Sequence, residues 1–194
     1  MIKEYFFPTI VYVKDLENAD ELNSYLEKHI VEWSEKDKGV EKTNVNGWHS
    51  QTDMNHKKEY EPLIRELFQM QNEIIQDAHL NMEPKLGNMW ANINYKDGYN
   101  NSHIHPNSFF SGAYYVKAQP NSGRLHFLDP RLGVQQCMPP MKKGILPREL
   151  WREGYYDPVP GRIIMFPSWL WHRVEPNKSN DTRISVSFNF ISIK

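Results

Sequence analysis

Asn88-Met-Trp-Ala-Asn-Ile-Asn-Tyr95 alternates strictly, with Asn88, Trp90, Asn92 and Asn94 on one side and Met89, Ala91, Ile93 and Tyr95 on the other. A period of two is the signature of a strand whose faces meet different surroundings. Arg183–Ile191 repeats the pattern: Ile184, Val186, Phe188 and Phe190 form an apolar face, and Arg183, Ser185, Ser187 and Asn189 a polar one. Strands open to solvent usually carry Thr, Lys and Glu, so polar faces built of Asn, Ser and one Arg favour a wet cavity over open solvent.

Outward from these two strands the pattern stays β-like. Phe109–Lys117 and Arg124–Leu128 are predicted strands joined by the turn Gln119-Pro-Asn-Ser-Gly123, and Val159–Phe166 is a strand entered through Pro160-Gly161. Between them, 131–157 is a long Pro- and Gly-containing insertion, expected to act as a lid or substrate loop. Upstream, 5–13 has a β-branched and aromatic strand pattern, placed at an edge by Pro8. Apolar residues at three- and four-residue steps predict helices over 15–36 and 59–80, the second with Pro62 in its first turn. Residues 37–58 are polar and irregular, and Trp48 within them either covers a pocket or anchors the loop on the core. Two helices followed by at least five strands with tight turns predict a single α+β domain over 1–194. Its helical part, 1–85, packs outside an antiparallel barrel or sandwich over 86–194.

Composition narrows the function. No run of about 18 apolar residues exists, which argues against a membrane helix, and no signal peptide is evident at the N-terminus. Cys137 is the only cysteine, which excludes an intramolecular disulfide framework and suits a cytoplasmic location. Residues 1–80 carry 9 Lys/Arg against 16 Asp/Glu, and 81–194 carry 14 against 8. The basic second half suits a small anionic ligand and is too weak and scattered for nucleic acid.

His103-Ile-His105 places two imidazoles at i and i+2, on one side of an extended strand, where they either chelate a transition metal or stand at the surface. His172 follows a Pro-Gly strand and two tryptophans, and Arg183 comes eleven residues later. These four side chains converge only if the sheet closes on itself.

Several of these segments resemble the 2-oxoglutarate-dependent Fe(II) oxygenase superfamily, particularly its prolyl-4-hydroxylase-like branch and a group of small bacterial and phage oxygenases. The resemblance is carried by Tyr95-x-x-Gly98-x-x-x-x-His103-x-His105, Ser111-Gly-Ala-Tyr-Tyr-Val116, Pro160-Gly161…Phe166-Pro…His172-x-Val174 and Thr182-Arg183-Ile-Ser185. Gly47-Trp-His-Ser50 and Leu128-Asp-Pro-Arg131 add likeness to the small group. It implies a double-stranded β-helix (a jelly-roll, cupin-like barrel), Fe(II), O₂ and 2-oxoglutarate, and hydroxylation of a small-molecule or peptidyl substrate with release of succinate and CO₂. On this likeness His103, His105 and His172 would hold the metal. Arg183 would receive the far carboxylate of 2-oxoglutarate with Ser185 and Tyr115; Asn92 and Asn94 would line the site, and Trp90 and Trp48 would stand on the substrate side. The superfamily usually has an acid where this chain has His105, so Asp129 is the alternative carboxylate ligand. The same departure leaves room for a cupin-like protein without oxygenase activity, or a three-histidine dioxygenase that does not use 2-oxoglutarate. Oligomeric state is left open, a homodimer included.

Overall fold

The computed structural model describes residues 1–192; Ile193 and Lys194, within the predicted domain, lie outside the described residues. The chain runs β1 (Tyr12–Asp15), α1 (Ala19–Lys36), β2 (Asn44–His49), α2 (Glu61–Asp77), β3 (Pro84–His103), β4 (Phe110–Lys117), β5 (Leu125–Leu128), α3 (Leu132–Gln136), β6 (Glu153–Tyr156), β7 (Arg162–Pro167), β8 (His172–Val174) and β9 (Arg183–Ser192). The strands form one sheet in the order β1-β7-β4-β9-β3-β8-β5-β6, with β2 added beside β3. Among the described residues every pairing between these strands is antiparallel.

The long strand β3 makes the sheet fold over. Its first half pairs with β9, from Pro84↔Ser192 to Asn94↔Arg183. Its last residues pair instead with β8, through Asn100↔Val174 and His103↔His172, with a register shift between. One strand therefore belongs to both layers, and its polar face looks inward between them.

The two helices cover the outside. Leu26 and Ile30 of α1 and Leu63, Leu67, Met70 and Ile74 of α2 are buried against Met89, Ala91, Val186, Phe188 and Phe190. Burying each such side chain is worth about 1.5–3 kcal/mol, so this seam fixes the apolar face of β3 and β9 outward and leaves the polar face to the interior. A second cluster, with Leu125, Phe127, Ile164, Phe166 and Leu170, packs between the layers.

Three sequence expectations need correction. The first strand is shorter and later than 5–13: Tyr5, Phe6 and Phe7 are exposed, Phe7 has φ 59°, and pairing starts at Tyr12, on the sheet edge. Residues 37–58 are not wholly irregular, because β2 pairs with β3. Its Asn and Gly content and a register shift at Asn46, where φ is 49°, hide the strand period. The 131–157 segment carries α3 and β6, and β6 pairs with β5. Together with the N-terminal residues it lines a separate cavity of ≈680 Å³, and none of its described residues lines the interior cavity.

Candidate metal and cosubstrate site

Between the layers lies a cavity of ≈370 Å³, lined by the inward faces of β3 and β9 and by the histidines. His103, at the end of β3, faces His172, the first residue of β8, as a direct cross-strand pair. Such pairs bring Cβ atoms within about 5.5 Å. His105 joins them from beyond the strand. β3 ends at His103, the His105 amide donates to Ser168 O at 3.0 Å, and Pro106 holds His105 extended. The i, i+2 relation is therefore completed by the loop and not by a continuous strand.

One ligating nitrogen from each of His103, His105 and His172 lies within 4.8 Å of the others. His103 Nδ1 is 2.7 Å from Asn101 O, and His172 Nδ1 is 2.8 Å from Leu170 O. A carbonyl only accepts, so each Nδ1 carries the proton and each Nε2 lone pair is left for a ligand. Burial pushes His172 down to about 3, helped by the charge His103 would carry; burial and His103 likewise push His105 down to about 4, and burial lowers His103. The three are neutral imidazoles near pH 7, the form that binds metal. His105 Nε2 and His172 Nε2 stand 3.1 Å apart, the separation of two nitrogens at right angles about an ion with bonds near ~2.1 Å. Three convergent neutral imidazoles on a partly open cavity fit a transition ion such as Fe(II), which keeps positions for other ligands.

Asp129 is not part of this group. Its carboxylate accepts a fork of bonds from Arg131, Nε at 2.9 Å and Nη2 at 3.0 Å, which holds it below the usual carboxylate range. It lines the other cavity, beside Trp151 and Arg131.

Arg183 is 1 % exposed. Its Nη1 donates to Ser122 O, Gly123 O and Glu175 O, while Nη2, buried, has no hydrogen-bond partner. A buried guanidinium nitrogen left bare inside a protein is costly unless a ligand completes it. Tyr115, also buried and on the cavity wall, is pushed up to about 12 by burial, so its phenol stays a donor. Asn94 pairs with Arg183 and Asn92 with Ser185 across β3 and β9, and all four line the cavity. The donor-rich end fits a carboxylate such as that of a 2-oxo acid.

Trp90 lines the cavity, in ring contact with His105 at 5.7 Å. Trp48 does not: it is buried edge-on against Trp33, and its Nε1 donates to Asp37 O at 2.8 Å. Strand alternation explains the exchange, because its neighbour His49 then faces inward, stacked on Trp90 at 5.5 Å with 9° between planes. The inward side of His49 is not legible in the sequence, because the register shift of β2 hides its strand period; its place in Gly47-Trp-His-Ser50 is the signal that points to it.

A jelly-roll with three convergent histidines and a buried arginine is a barrel suited to a metal ion and an anionic ligand. The family model described as "Putative 2OG-Fe(II) oxygenase" matches residues 88–189, and the chain belongs to that family of 2-oxoglutarate-dependent oxygenases. No curated protein matches the sequence. Among crystal structures it is similar to a Pseudomonas putida prolyl-4-hydroxylase, at 15 % identity, TM-score 0.68, over 96 % of this chain and 94 % of that one. A viral collagen prolyl hydroxylase from Paramecium Bursaria Chlorella virus-1, in complex with 2-oxoglutarate, aligns at 13 % identity, TM-score 0.64, over 94 % and 96 %. The carbocyclase SnoK of nogalamycin biosynthesis aligns at 9 % identity, TM-score 0.69, over 95 % and 80 %. At these identities the likeness is one of fold. Among the described residues no helix is long and apolar enough to cross a membrane.

Proposed function

We propose that this protein hydroxylates a C–H bond of its substrate at an Fe(II) ion held by His103, His105 and His172, with 2-oxoglutarate converted to succinate and CO₂. The observation that carries the reading is that the three-histidine group and Arg183, whose buried Nη2 has no hydrogen-bond partner, line one cavity. When bound, the iron and the 2-oxo acid supply the oxygen chemistry. The chain's own part is to hold and orient. Backbone carbonyls of Asn101 and Leu170 fix two imidazoles in the ligating tautomer. Arg183 Nη2 and the Tyr115 hydroxyl bind the distal carboxylate, with Ser185 and Asn94 beside them. Trp90 and the apolar side chains of Phe166 and Leu125 limit water around the metal. A three-histidine dioxygenase acting without a cosubstrate would leave Arg183 Nη2 unpaired, so that reading has less support.

Anaerobic calorimetric titration of 2-oxoglutarate into Fe(II)-loaded protein tests the reading. Saturable binding that disappears when the metal is chelated is expected. Binding that is absent, or indifferent to metal, would overturn it.

A further inference from the structure

The cavity holds more than the metal and the carboxylate end. His49 on β2 and Asn92 on β3 are direct cross-strand partners, so their side chains share one face. Both are over nine-tenths buried and both line the cavity. His49 Nδ1 is 2.6 Å from Ser50 O, which places the proton there. Burial lowers its affinity for a second proton, so with the proton on Nδ1 the Nε2 atom carries a lone pair. Asn92 donates from Nδ2 to Ser187 Oγ at 3.2 Å, and its Oδ1 is buried without a partner. Two acceptors therefore come from directly paired residues of the cavity wall that also carries Trp90.

Charge completes the description. Among the described residues that line the cavity there is no Asp or Glu, while Lys42 and Arg183 are cations. With the carboxylates of 2-oxoglutarate taken up by the metal and Arg183, a primary ammonium group would enter without a free carboxylate to offset its desolvation, which is costly inside a protein. An uncharged N–H or O–H group meets no such penalty and fills the acceptors.

We infer that His49 Nε2 and Asn92 Oδ1 form the substrate-recognition pair, and that the group they accept from is an uncharged hydrogen-bond donor, a carboxamide or hydroxyl, and not an amine. This rests on the three-histidine reading of the metal site.

The test is proton relaxation by Mn(II) bound to the intact protein in the presence of 2-oxoglutarate, with acetamide and ethylammonium as probes. Acetamide protons are expected to be relaxed well above those of ethylammonium. His49→Phe should cut the acetamide effect about five-fold, the size of one net hydrogen bond, and His49→Gln, which keeps an acceptor, should restore most of it. Water-proton relaxation reports metal loading in every sample and so separates a lost subsite from a lost metal. Equal relaxation of the two probes, or an acetamide effect untouched in a metal-loaded His49→Phe protein, would overturn the inference alone. Failure of the wild-type protein to hold Mn(II) would overturn the metal site and this inference with it.

Discussion

His105 Nε2 lies 3.1 Å from His172 Nε2, although the two residues are 67 positions apart in the chain. With His172 Nδ1 committed to Leu170 O, its Nε2 presents a lone pair to His105. Without a metal, His105 in its Nε2–H tautomer donates to that lone pair; a shared cation would displace this proton and take both lone pairs.

Replacing His172 with Ala should therefore abolish stoichiometric metal binding, measured as bound Fe(II) or Mn(II) per chain after desalting. Asp129→Asn should leave stoichiometry unchanged, because that carboxylate is held by Arg131 and lines the other cavity. Metal lost from Asp129→Asn and kept by His105→Ala would reverse the assignment.

Arg183→Ala should raise the 2-oxoglutarate concentration needed for half-saturation by roughly 10- to 150-fold, the range of one charge-assisted hydrogen bond, with metal content preserved. Arg183→Lys should recover only part of this, since an ammonium lacks the planar fork. Titration of metal-loaded variants with 2-oxoglutarate reads both, and an unchanged midpoint in Arg183→Ala would show that another group binds the acid.

Gly123 supports that arginine from behind. It adopts φ +93°, its carbonyl accepts from Arg183 Nη1 at 3.2 Å, and a Cβ there would lie 2.6 Å from Nη1 and against Glu175 O. Gly123→Ala should cost about 1–3 kcal/mol of stability and weaken 2-oxoglutarate binding together. Denaturant midpoints and the same titration check it; a variant with wild-type values for both would contradict the packing described.

Alkaline pH should destabilise the fold through three buried phenols. Burial raises Tyr60 and Tyr114 and pushes Tyr115 up to about 12, against an unfolded value near ~10. The unfolded chain thus releases these protons first. Stability is fully present below pH ~10 and falls as pH rises toward the folded values, by up to ~1.4 kcal/mol per pH unit for each phenol. Urea midpoints at pH 9 and pH 11 should differ accordingly, and Tyr114→Phe should flatten the slope. Equal midpoints would contradict the burial of these rings.

Much of this was legible in the residues, and unevenly so. The alternation of Asn88–Tyr95 and of Arg183–Ile191 declared both the strands and their inward polar faces, because a strand between helices and a wet cavity must alternate. The helical stripes were equally plain, since packing demands apolar residues at three- and four-residue steps. The β2 strand was not legible: Asn44-Val-Asn-Gly interrupts the period, and with it went the inward side of His49 and the core position of Trp48. The role of the 131–157 segment was hidden for another reason. Length and Pro/Gly content mark an insertion, but only the folded structure decides which cavity it borders: β6 pairs with β5, and the segment lines the second cavity.

Succinate formation tests the central claim most directly. Protein loaded anaerobically with Fe(II), then given 2-oxoglutarate and O₂, should release succinate above a metal-free control even without a prime substrate, and His172→Ala should abolish the excess. Succinate that never rises above the metal-free control would contradict the account.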